Sequence, residues 1–101
     1  MRPPDEDEAR PAFLVEVYAA TRQIASDGEE AIRRATTAAR DGTPPIELLS
    51  SIFIPGDETA FYLVGAQEEA HVRRLFEFAG VRYDRIFPAD AETLARRSLG
   101  P

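Results

Sequence analysis

Two strand-like runs, residues 47–55 (Glu-Leu-Leu-Ser-Ser-Ile-Phe-Ile-Pro) and 59–66 (Thr-Ala-Phe-Tyr-Leu-Val-Gly-Ala), are separated by only Gly56-Asp57-Glu58. An insert of that length reverses the chain and little else, so the two runs are expected to pair antiparallel. What flanks this hairpin decides the fold. Before it, residues 12–18 (Ala-Phe-Leu-Val-Glu-Val-Tyr) form a short β-branched and aromatic run that reads as a largely buried strand. Ser26-Asp27-Gly28-Glu29 has capping-box spacing, which predicts a helix from there to about residue 40, with Ala31, Ile32, Ala35, Ala38 and Ala39 inward and Asp41-Gly42 as its stop. After the hairpin, Val72, Leu75, Phe76 and Ala79 fall at i, i+3, i+4 and i+7 in a helix over 67–79 that ends at Gly80. Residues 83–87 (Tyr-Asp-Arg-Ile-Phe) make a last short strand before Pro88. The order β-α-β-β-α-β is the split βαβ pattern: an α+β, ferredoxin-like sandwich with two helices on one face of a four-stranded antiparallel sheet. One domain is expected over 12–90. Residues 1–11, acidic and proline-rich, are expected to be a flexible tail, and 91–101 a short helix or frayed end.

Composition removes several kinds of chemistry. With no cysteine among 101 residues there is no disulfide, iron–sulfur cluster, thiolate zinc site or cysteine nucleophile. Every basic side chain is arginine, so a lysine Schiff base is excluded. The net charge of −6 opposes phosphate backbones, and nucleic acid is not expected as a partner. No apolar run approaches the roughly 20 residues of a membrane span, and the acidic N-terminus is unlike a signal peptide, which predicts a cytoplasmic protein without a membrane partner. No phosphate-binding or dinucleotide glycine pattern is present, and Ser50-Ser51 lacks a nearby histidine or nucleophile elbow.

Strand alternation then assigns residues to the two sheet faces. Turning the most apolar set of each strand inward sends Phe13, Val15 and Val17 toward the helices and Leu14, Glu16 and Tyr18 outward. The same rule sends Phe61 and Leu63 inward with Tyr62 and Val64 outward, and Ile86 inward with Tyr83, Arg85 and Phe87 outward. The 47–55 strand is apolar in both sets, so alternation does not choose its face. All three tyrosines are thereby expected on one open surface with Glu16 and Arg85. A sandwich of about 80 residues gains from oligomerisation, which predicts a homodimer packed through these open faces.

Two uses of that surface follow. In one, Glu16 and Arg85 are a structural ion pair in a filled interface, with tyrosines covering the half-wet remainder. In the other, the faces close incompletely around a small-molecule pocket lined by Tyr18, Tyr62, Tyr83 and Arg85, with Glu16 as general base or ligand-orienting group. Candidates for metal ligation are weaker: His71, the sole histidine, and the turn carboxylates Asp57 and Glu58. Three paired-arginine stretches, at 33–34, 73–74 and 96–97, read as solvated faces.

The stretches 13–18 (Phe-Leu-Val-Glu-Val-Tyr), 51–63 with its Pro-x-Asp-Glu-Thr turn, and 79–86 with its Gly-x-x-x-Asp-Arg-Ile ending resemble the nickel-binding-protein-like family of small bacterial domains of unknown function. The resemblance spans about residues 12–88. It implies a ferredoxin-like domain that dimerises through its sheet as a dimeric α+β barrel, with nickel as the cofactor some members hold. Glu16, the Asp57-Glu58-Thr59 turn and Arg85 match its pattern. The functions to be weighed are therefore a homodimeric small-ligand-binding domain, a nickel or other metal-binding accessory or sensor protein, a small cyclase- or isomerase-type enzyme using Glu16 as base, and a structural interaction module.

Overall fold

The computed structural model describes residues 10–39 and 45–91. Their elements follow the expected order: β1 (Arg10–Tyr18), α1 (Arg22–Ala38), β2 (Glu47–Ile54), a 3-10 turn (Pro55–Asp57), β3 (Thr59–Gly65), α2 (Glu69–Ala79) and β4 (Arg85–Ala91). The four strands form one antiparallel sheet in the order β2-β3-β1-β4. The fold is α+β, as the hairpin between two helical patterns implies.

Three element boundaries differ from expectation. Helix α1 begins at Arg22, because Thr21 in extended conformation caps it, its hydroxyl accepting the Ile24 N–H at 3.1 Å. Ser26 through Glu29 therefore lie inside the helix rather than at its start. Strand β4 starts at Arg85 and continues through Pro88 to Ala91; as an edge strand bonded only to β1, it tolerates a residue without an N–H. At the N-terminal side Arg10 and Pro11 already belong to β1. The expected tail over 1–9, the helix stop at 40–42 and the C-terminal segment over 92–101 lie outside the described residues.

Register shows which side chains share a face. Ser51, Tyr62, Val15 and Ile86 are cross-strand neighbours in one row, and Leu48, Val64, Phe13 and Pro88 in another. Val15, Tyr62 and Val64 are fully buried with Ile32 of α1 and Val72 and Phe76 of α2, so these rows are the helix-covered face. On α1 the buried positions are Ala25, Ile32 and Ala35, and on α2 they are Val72, Leu75 and Phe76. Helix α2 matches its predicted stripe and ends at Gly80, whose φ of 74° requires the left-handed conformation that glycine adopts cheaply.

The intervening rows point away from the helices. Ile52, Phe61, Glu16 and Arg85 form one, Ser50, Leu63, Leu14 and Phe87 the next, and Ile54, Thr59 and Tyr18 the last. Nothing in the described chain covers them.

Candidate site on the open sheet face

Glu16 lies mid-strand on central β1, opposite Arg85 at the start of β4. The Arg85 Nε donates to Glu16 Oε1 at 2.8 Å, and the guanidinium carbon sits 5.1 Å from the centroid of the Phe87 ring, two residues along the same face. Glu16 is 20% and Arg85 66% exposed. The two terminal nitrogens of Arg85 and the second oxygen of Glu16 have no partner among the described residues. The pair therefore presents unused donors and an unused acceptor on a largely apolar surface of Leu14, Ile52, Phe61, Leu63 and Phe87, with Ser50 at its β2 edge.

Asp84 ties the backbone beside this pair, a role not foreseen from the sequence. Its N–H donates to the Glu16 carbonyl at 2.8 Å and its carboxylate accepts the Tyr18 N–H at 2.9 Å, extending the β1–β4 pairing beyond the first residue of β4. The available signal was an Asp directly before the strand in the Asp-Arg-Ile sequence, a residue suited to bonding nearby backbone. Tyr18 keeps the open-face parity but is 61% exposed at the margin, where its hydroxyl donates to Glu58 Oε1 at 3.3 Å. The Glu58 carboxylate raises the Tyr18 phenol above its usual value, first through its charge and then through this bond.

The expected clustering of three tyrosines on this face is overturned. Tyr62 is only 1% exposed and faces the helices, its hydroxyl donating to the Ala25 carbonyl in α1 at 2.7 Å. Phe61 and Leu63 consequently face outward and Val64 inward, the reverse of the assignment from apolarity. A tyrosine is large enough to fill core space and polar only at its tip, so one backbone acceptor suffices to bury it. Tyr83 precedes β4 and packs edge-on against Phe76 of α2, with ring centroids 5.8 Å apart, while its hydroxyl accepts from Arg73. It is a helix-side residue.

In a second polar cluster the i, i+4 pair of Glu29 and Arg33 follows from helical spacing, whereas its link to β2 was not anticipated. Glu29 of α1 accepts from Ser51 Oγ of β2 at 2.8 Å through one oxygen and from Arg33 at 2.8 Å through the other. The bond from Arg33, then that from Ser51, holds its carboxyl below the usual value despite some desolvation. Burial, with the Glu29 charge adding to it, pushes the Tyr62 phenol up. Glu29, Ser51 and Tyr62 line a small polar cavity of about 140 Å³, where Arg22 lies 5.6 Å from the Phe53 ring centroid. Their interactions join helix to edge strand, which is a structural use.

The weaker metal candidates are not gathered. Asp57 and Glu58 sit in the hairpin before β3, whereas His71 is in the first turn of α2, beyond the other end of β3. Among the described residues no three His, Asp or Glu side chains form a group that would hold a metal ion. Glu58 is instead part of the turn: at φ 49° its N–H bonds the Pro55 carbonyl, and its own carbonyl accepts from Ala19 at 2.9 Å.

A solved structure of SCO4226 from Streptomyces coelicolor A3(2) is similar, with a TM-score of 0.61 over 81% of this chain and 94% of that one. The likeness is one of fold. At 16% identity it extends to the arrangement of strands and helices and carries no activity with it. Neither a protein-family model nor a curated protein matches the chain. No helix among the described residues is long and apolar enough to cross a membrane.

Proposed function

We propose that the chain forms a homodimer through the open face of its sheet and that the paired faces enclose a small-ligand pocket beside the Glu16–Arg85 pairs. The observation that supports this reading is the make-up of that face: contiguous Leu14, Ile52, Phe61, Leu63 and Phe87 around one incompletely satisfied ion pair. Contiguous apolar patches beyond a few hundred Å² are uncommon on soluble monomers and mark contact sites. A second copy is the occupant that suits this one. Across a two-fold axis the patch meets itself, and the dimer proposed is the one in which the unused nitrogens of Arg85 face the unused oxygen of the opposite chain's Glu16 and the reverse contact follows by symmetry. Removing such charges from water costs several kcal/mol per ion unless the remaining donors and acceptors are met, and the reciprocal arrangement meets them. The Arg85 head group lies over Phe87 on edge strand β4, and a small molecule with one polar group and an apolar body is the ligand class that an ion pair beside an apolar surface suits.

Native mass spectrometry together with light scattering on the purified chain tests both parts. A dimer is expected, with ligand retained as added mass in its spectrum. Ile52→Asp is expected to give a monomer, since an unpaired carboxylate buried in the interface costs more than the contact returns. A wild-type chain that stays monomeric at high micromolar concentration would sink the dimer. A dimer indifferent to charge at residue 52 would place the interface elsewhere.

A further inference from the structure

We propose a second ligand site, on the opposite side of the sheet, for small zwitterions with an apolar body: the class of branched aliphatic and aromatic amino acids. A groove of about 380 Å³ opens between the first half of α1 and the end of α2. It exists because the facing positions are small. Ala31 on one side, and Ala79 and Gly80 on the other, leave space that longer side chains would fill, while Gly28 admits the Tyr62 hydroxyl beneath them. The buried Val17 and Tyr62 also line it, as do Ile24 and Val81. Ile24 is half exposed there, the state of an apolar residue with a surface left to cover. The volume lies at the small end of the roughly 300–1,000 Å³ typical of small-molecule sites.

Charge at the rim specifies the chemistry. Arg82, directly after the turn that ends α2, lines the groove and has neither an ion pair nor a hydrogen bond among the described residues. Asp27, on the α1 side, accepts only the Gln23 amide at 2.8 Å through Oδ1, which leaves Oδ2 open. A guanidinium offers a planar fork to a carboxylate, and a free carboxylate oxygen accepts from an ammonium. A ligand with both charges and an apolar side chain answers both rim charges and covers Ile24. A ligand with one charge leaves the other rim charge unmet.

Titration calorimetry of the full chain with L-leucine and L-phenylalanine tests this, with 4-methylpentanoate and 3-methylbutylamine as probes that lack one charge each. The amino acids are expected to bind, and each one-charge probe to bind about tenfold more weakly or worse, the factor worth 1.4 kcal/mol. Arg82→Gln is expected to weaken the amino acids by about tenfold while leaving the amine unchanged. Asp27→Asn should do the converse, sparing the carboxylate probe. Ala31→Leu, which fills the groove, is expected to remove binding of all four. Should that variant fold poorly, the two rim substitutions at surface positions still decide the matter. Absence of heat with either amino acid at millimolar concentration, or equal affinity of wild-type and Arg82→Gln chains for leucine, would overturn the assignment. Ile52→Asp, on the other face, is expected to leave leucine binding unchanged, which separates this site from the sheet-face proposal.

Discussion

Gly28 stands in the interior of α1, where glycine costs about 1 kcal/mol relative to alanine. Its lack of a side chain is nevertheless used. A Cβ at this position would lie 2.7 Å from the Tyr62 hydroxyl oxygen, inside contact distance, and the next ring atom is already 3.6 Å away. The hydroxyl has little freedom to retreat, because it is bonded to the Ala25 carbonyl one turn earlier. Gly28→Ala is therefore expected to destabilise the protein by about 1–2 kcal/mol, the usual range for overpacking, where helix propensity alone would predict a gain. In a Tyr62→Phe background the clash disappears, and the same substitution is expected to stabilise by up to about 1 kcal/mol. A urea-denaturation double-mutant cycle measures the coupling. Equal effects of Gly28→Ala in both backgrounds would show that the close approach is not what keeps glycine there.

At the scale of elements, the contact between α1 and edge strand β2 is carried in part by Glu29, which bridges Ser51 and Arg33. Its carboxyl is held below the usual value of 4.5, so the folded state favours the charged form more than the unfolded state does. The resulting stabilisation is complete above the unfolded pKa and disappears as pH falls through the lower folded one. Glu29→Gln is accordingly expected to cost about 1 kcal/mol at neutral pH, and the gap to wild type should narrow as pH is lowered from about 4.5. Denaturant midpoints of both proteins across the acid range measure it; a gap constant with pH would show that the charge of Glu29 is immaterial. The same pair of elements shows what was legible in the sequence. The order of strands and helices was readable because each has its own period and each connection its own turn residues. The start of α1 was not, because Ser26 and Glu29 reproduce capping-box spacing by coincidence, Glu29 being selected by a strand distant in sequence. The parity of β1 was readable because only one of its alternating sets contains a charge. That of β3 was not: Phe61 with Leu63 and Tyr62 with Val64 are comparably apolar, and the acceptor that admits Tyr62 to the core is a helix carbonyl that no local pattern reveals. Glu16 and Arg85 were expected to be neighbours, and they are, because antiparallel pairing of the first and last strands needs only register to bring them together.

For the molecule as a whole, the dimer proposed above sets the open face against its own copy, and the ion pair on that face can be used to ask whether the contact runs between chains. In the proposed dimer the unused groups of each Glu16–Arg85 pair meet those of the other chain. A chain carrying Glu16→Arg then presents two cations to an identical copy, and a chain carrying Arg85→Glu presents two anions. Each is expected to self-associate at least about tenfold more weakly than wild type, since like charges facing one another across an interface are penalised by more than a kcal/mol. Mixed together, the two variants put two cations opposite two anions and should pair with each other in preference to themselves. Native mass spectrometry resolves the three species if one variant is isotopically labelled. Pairing confined within each chain gives a different result: mixing would then leave both variants as weakly associated as before, because neither can repair its own lost partner from the other side. Preferential heterodimer formation thus depends on a contact that runs between chains, and it is independent of whether any ligand occupies the space beside Arg85. Salt provides the matching control, because a rim-exposed attraction fades as the Debye length shrinks from about 10 Å at 0.1 M to about 3 Å at 1 M, whereas a pair enclosed by the apolar rows of Leu14 and Ile52 is screened far less.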